Sequence, residues 1–256
     1  MHHAKDLSPR SRRIPVVAAI ALFGLFTVAL LPATPGLASP LCSLPDNGAG
    51  SADLPPVGCA YDGAGNVFKI IDGLPVGTEL HSVCLWQDFV GILRAPGGPL
   101  GGEVENYQAT MPWNMAGTGT LLGYNRSLAM QITCETHTAP RVPGQPVQSF
   151  DTDMFRIQGQ LPIGDPDFDL LRISAGTGFN MPSPGHTTLT TVPGPVWNVD
   201  SFFDIEYRID FIGAPGGPLA GRSGSTTATI RMQTGQPVNP TKTAASTWGK
   251  IKLIYR

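Results

Sequence analysis

From Phe203 to Phe211 the chain alternates without a break. Phe203, Ile205, Tyr207, Ile209 and Phe211 are apolar, and Asp204, Glu206, Arg208 and Asp210 between them are charged. Only an extended backbone, whose successive side chains point to opposite faces, sorts such a run into one dry face and one wet face. Leu128, Met130, Ile132 and Cys134 alternate with Ala129, Gln131 and Thr133 in the same way, and the stretch from Thr226 to Arg231 is rich in Thr and Ile, as strands are. No stretch between residue 39 and the C-terminal tail keeps a helical period for three turns. Pro-Gly, Gly-Gly and Asp-Gly steps punctuate the chain, and glycine with proline makes 56 of 256 residues, turn-rich but short of a disordered composition. The expected fold class is all-β.

Two segments recur in the same order. Phe68-Lys-Ile-Ile-Asp-Gly-Leu-Pro-Val-Gly77 resembles Phe155-Arg-Ile-Gln-Gly-Gln-Leu-Pro-Ile-Gly164, and Ala95-Pro-Gly-Gly-Pro-Leu100 returns unchanged as Ala214-Pro-Gly-Gly-Pro-Leu219. The two offsets differ, which implies extra residues in the second copy, within the Gly/Pro/Thr-rich stretch from Ala175 to Pro195. The pattern divides the chain into a Cys-containing leader (39–66), two related β-sandwich-like units (67–150 and 151–234), and a linker with a tail (235–256). The two units would stand in tandem or pack as one sandwich. The prolines and glycines of PGGPL suit a stiff, wide strand connection, because they fix φ or free it.

Before these units, Arg10, Arg12 and Arg13 precede an uncharged apolar run from Ile14 to Leu31, and small residues at Gly36 and Ala38 follow. That arrangement reads as a signal peptide over residues 1–38. The competing reading is an uncleaved N-terminal membrane anchor, since the run is long enough to span a bilayer. Cleavage would remove four basic residues (Lys5, Arg10, Arg12, Arg13) and one acid (Asp6), leaving 13 Lys and Arg against 18 Asp and Glu, a net charge of −5. Such a surface lacks the basic face a nucleic acid needs. In an oxidising compartment the even set Cys42, Cys59, Cys84 and Cys134 reads as two disulfides; three pairings are open from sequence, and the preferred one has Cys42–Cys59 closing the leader and Cys84–Cys134 joining two strands.

Signatures of known chemistry are scarce. Asp151, Asp153, Asp165, Asp167 and Asp169 open the second unit, and clustered loop carboxylates are what Ca²⁺ collects. Asp and Pro also make ordinary turns. No HExxH, GxSxG or phosphate-binding loop is present, and Ser183 lies too close to His186 in sequence for a converging triad. Asp204, Glu206 and Asp210 share a strand face with Arg208, which fits a solvated surface better than a hydrolytic carboxylate pair. Trp86, Trp113, Trp197, Tyr107 and Tyr124 either line a sugar-stacking face or fill a core. A Pro/Thr-rich linker leads to Thr247-Trp-Gly-Lys-Ile-Lys-Leu-Ile-Tyr-Arg256, a basic, apolar ending suited to sorting or attachment machinery or to a membrane surface.

The stretch from Asn198 to Gly221 and the ending from Ser246 to Arg256 resemble those of uncharacterised exported β-rich proteins of environmental bacteria. The resemblance implies export and a bacterial origin, and brings no activity, ligand or site residue with it. The expectation for function is an exported extracellular, periplasmic or cell-surface protein, structural or interactive and non-enzymatic, with an envelope polysaccharide or protein as partner. The alternatives are a carbohydrate- or calcium-binding β-sandwich and, third, a hydrolase of envelope polymers.

Overall fold

The computed structural model describes residues 42–235, so the expected signal segment (1–38) and the tail beyond Gly235 lie outside the described residues. Ten strands carry the fold: β1 (Cys42–Pro45), β2 (Ala60–Ile70), β3 (Leu80–Pro96), β4 (Glu103–Gly117), β5 (Asn125–Thr138), β6 (Val147–Gln160), β7 (Phe168–Ala175), β8 (Pro184–Val192), β9 (Val196–Gly213) and β10 (Ser223–Gly235). The alternating run sits in β9, where the five apolar side chains from Phe203 to Phe211 are all buried, as the period-two pattern demands.

Every pairing is antiparallel and all ten strands belong to one sheet. Strands β9, β10, β2, β3, β4, β5, β6 and β7 follow one another, and β7 pairs back onto β9, so the sheet closes as an eight-strand ring. One place in the ring is shared. β7 joins Ile157–Gln160 of β6 to Tyr207–Gly213 of β9, while β8 joins Val147–Asp153 of β6 to Val196–Phe203 of β9. Closure pairs strand edges that would otherwise template association with other chains.

The expected division at residue 150 is not a division of the sheet. Strands from 67–150 and from 151–234 pair directly through β5–β6, and on the other side β10 pairs with the leader residues Ala60–Asp62 at the start of β2. The stretch from Ala175 to Pro195 supplies a strand of its own, β8. Both Leu-Pro-(Val/Ile)-Gly segments are turns, between β2 and β3 and between β6 and β7, and both PGGPL segments connect neighbouring strands, β3 to β4 and β9 to β10. Gly98 and Gly216 have φ of 83° there, a left-handed backbone that a side chain would strain.

Aromatic rings fill the inside of the ring. Tyr61 stacks on Trp86 at 4.8 Å, Phe203 lies 5.5 Å from Tyr61, and Phe68 packs between Trp113 and Tyr207 at 5.5 and 4.9 Å. Cys84 and Cys134 belong to this core as buried free thiols, so the expected Cys84–Cys134 disulfide is corrected. The two face the same interior but stand on β3 and β5, with β4 between them. Two strand spacings, ~9.5 Å, exceed the reach of a disulfide. Burial raises both thiols well above their ordinary pKa, which keeps them protonated and unreactive.

Candidate functional site

Four turns close one end of the ring. Thr118 N donates to Glu79 O at 2.9 Å, Tyr124 Oη to Asp167 Oδ2 at 3.0 Å, Ala214 N to Asp167 O at 2.9 Å, and Ile71 N to Thr226 Oγ1 at 2.9 Å. This is where two of the aspartates expected to hold calcium converge. Arg126 reaches Asp165 with one guanidinium nitrogen and Asp167 with the other, and Asp165 Oδ1 also accepts from Asp167 N at 2.9 Å. Their charge is therefore met by a cation of the chain itself. Asp151 and Asp153 lie far from that clamp on β6, Asp153 accepting from Thr177 Oγ1 at 2.7 Å, and Asp169 is exposed on β7. Among the described residues no three His, Cys, Asp or Glu side chains converge as a metal site would require.

The charged face of β9 is likewise paired across strands. Asp204 takes Arg231 of β10 at 2.7 and 2.6 Å, and Asp210 takes Arg172 of β7 at 2.9 Å and Arg208 at 2.8 Å. The aromatic side chains considered for sugar stacking are occupied elsewhere: Trp86, Trp113, Trp197 and Tyr107 are buried, and half-buried Tyr124 serves the aspartate turn.

A contact chain that spacing along the sequence did not reveal runs across β6 and β8. His186 is the register partner of Asp151. Ser149 Oγ lies 2.7 Å from His186 Nε2, and His186 Nδ1 lies 2.9 Å from Asp151 Oδ1. Serine, imidazole and carboxylate thus stand in the order of a nucleophilic relay. The row sits in water, with Asp151 78 % exposed and His186 37 %. Solvent there competes for every hydrogen bond that would fix the imidazole.

At the opposite end, the inside of the ring turns polar. Glu105 of β4 is 1 % exposed and shares its inward face with Tyr107, Ala109, Met111, Trp113 and Met115. Its register partners are Arg94 on β3 and Thr136 on β5. Around it, Tyr107 Oη and Thr136 Oγ1 share a hydrogen bond of 2.9 Å, and Tyr61 Oη meets Ser201 Oγ at 2.9 Å, which in turn meets Thr187 Oγ1 at 2.7 Å. Burial pushes the Glu105 carboxyl up to about 8, although the charges of Arg141 and Arg94 oppose the rise. It is an acid kept neutral in a small polar chamber within an aromatic core.

The leader covers this chamber. Cys42 and Cys59 form the expected disulfide, with a Cα–Cα distance of 5.8 Å, and β1 docks on β9. An arginine of β3 and one of the β5–β6 connection hold the loop between them: Arg94 Nε donates to Leu54 O at 2.7 Å and Arg141 Nη1 to Ala52 O at 2.8 Å. Ala52, Leu54 and the disulfide pack with Phe150, Leu189, Trp197 and Val199 in a second, smaller core. Trp197 Nε1 ties the loop down further by donating to Asp46 at 2.9 Å.

Fold and site together define a closed antiparallel β-ring whose polar end is capped by a disulfide-tied loop. No family model, curated protein or solved structure matches this chain.

Proposed function

We propose that this is an exported protein of the extracellular space or cell envelope that works by interaction, as a rigid body, with an envelope protein or polysaccharide as its partner. The observation that carries the reading is the Cys42–Cys59 bridge, which ties a cap onto a ring filled by its own side chains. A disulfide of this kind persists in oxidising compartments. Among the described residues no helix is long and apolar enough to cross a membrane. At the tips of three turns Val76, Leu122 and Ile163 expose aliphatic side chains, a surface suited to a protein partner. The relatedness of the halves 67–150 and 151–234, and a role for the tail in sorting or attachment, belong to the same proposal and rest on sequence.

The test is expression of the full chain in a bacterium, followed by fractionation and thiol counting. Recovery outside the cytoplasm, with Cys42 and Cys59 oxidised and with Cys84 and Cys134 alkylated only after denaturation, is the expected result. Accumulation in the cytoplasm with four free thiols would overturn it.

A second reading, acyl transfer to water by Ser149, is favoured by the Ser149–His186–Asp151 contacts alone. An active serine would be labelled covalently by a fluorophosphonate, and labelling would disappear in Ser149→Ala and in His186→Ala. The interaction reading expects no labelling, because the exposed row lacks walls that exclude water.

A further inference from the structure

Two buried side-chain atoms without a hydrogen-bond partner, Glu105 Oε1 and Thr152 Oγ1, line the same cavity at the capped end of the ring. Buried polar groups are rarely left unmatched, because each lost partner is costly in a dry interior. The cavity measures about 10 Å³, room for one water at most. Its remaining walls are the rings of Tyr61, Tyr107 and Phe203 and, from the cap, Leu54 and Pro55. Residues 46–59 of the cap join no strand ladder of the ring. The backbone beside the cavity is held instead by the two arginine–carbonyl contacts, by Gly144 N and Gln148 Nε2 donating to Gly50 O, by the Arg94–Asp53 ion pair and by packing of Leu54.

We propose that this chamber is a binding site for a neutral, hydroxyl-bearing small molecule no larger than a monosaccharide ring, and that Leu54–Pro55 is the lid that fills its mouth when it is empty. Chemistry selects the class. Glu105, Thr152, Tyr61 and Tyr107 offer a dense set of donors and acceptors, which suits several hydroxyls on one ligand. The aromatic walls suit its C–H faces. A cation would meet the charges of Arg94 and Arg141 beside the chamber, and an anion would give up its hydration among aromatic walls. The lid can withdraw without being lost, because Cys42–Cys59 tethers the loop at both ends.

In this arrangement the lid competes with the ligand, so loosening it raises apparent affinity in proportion to the open fraction. Glycerol, D-glucose, D-galactose and N-acetyl-D-glucosamine would be titrated against the purified chain by ligand-observed NMR and by melting. The same titrations would be run on Arg94→Ala, Glu105→Leu and Thr152→Val. The expected result is binding of at least one probe, severalfold tighter in Arg94→Ala and lost in Glu105→Leu. Thr152→Val, a change of one hydroxyl for a methyl, should weaken binding and serves if Glu105→Leu fails to fold. The proposal is overturned if no probe binds even to Arg94→Ala, which would leave a single bound water as the partner of the two atoms. It is equally overturned if a probe binds and both chamber variants keep its affinity.

Discussion

Glu105 sets how this protein responds to pH between about 4.5 and 8. Its carboxyl titrates near 4.5 in an open chain and near 8 when folded, so between those values the folded state holds a proton that the unfolded state has released. Stability that is fully present below pH ~4.5 is therefore lost as pH rises toward ~8, by up to about 1.4 kcal/mol per unit. Glu105→Gln, which cannot ionise, should flatten that limb in denaturant titrations at several pH values, and an unchanged slope would show that the carboxyl is solvated. The acid limb is separate. Hydrogen bonds from His81 and Lys69 hold Glu79 below its usual range, and those from Arg231 do the same for Asp204. Their contribution is lost as pH falls through those depressed values. Glu105 had a legible signal, since it shares odd parity with Tyr107, Met111 and Trp113 on β4. A charged residue at the end of such a run reads as solvent-facing, because nothing local shows that a cap lies over it. For the aspartates the missing signal is the partner. Their clustering is real at Asp165 and Asp167, but Arg126, the residue that neutralises them, sits on a different strand.

The cap is an element without secondary structure over most of its length, and its covalent bond carries much of its order. Opening the Cys42–Cys59 loop, with a separation of 17 residues, should destabilise the chain by about 3 kcal/mol in Cys42→Ser/Cys59→Ser. Equilibrium unfolding in urea, oxidised against double variant, measures it. A difference near zero would mean that Trp197–Asp46 and the small core hold the loop unaided. This bridge was readable because its two cysteines bracket a Gly/Pro-rich stretch with little to bury. Cys84 and Cys134 could not be paired or separated from sequence. Alternation places both side chains inside the ring, and only the strand order reveals that β4 stands between them.

At the scale of the whole molecule, the strands were legible and their closure was not. Period two in β9 and β5 reports which face is dry, a local property, whereas the partnerships of β7 with β9 and of β10 with β2 join residues far apart in the chain. The β10–β2 seam has the shortest ladder of the ring's joins among the described residues, with Gln233, Thr234 and Gly235 opposite Asp62, Tyr61 and Ala60. Beyond that ladder, side chains take over: Tyr207 Oη accepts from Lys69 N at 3.2 Å, and Thr226 Oγ1 accepts from Ile71 N and Asp72 N. Tyr207→Phe should therefore cost about 1 kcal/mol in chemical unfolding and speed hydrogen exchange at Lys69 above that of its neighbours. Equal exchange along β2 would mean that the hydroxyl does not hold the seam.

The seam also has a consequence in time. β10 is the last strand of the described chain, and it completes the pairing of both β2 and β9. A polypeptide emerging from a ribosome, or threading through a channel, delivers β2 among the first strands and its partner last. Until then two strand borders stand open in a chain whose apolar faces already match. The cell that makes this protein must shield those borders from neighbouring copies for the whole of synthesis, and any stall before Ser223 leaves a species whose easiest partner is another of its own kind.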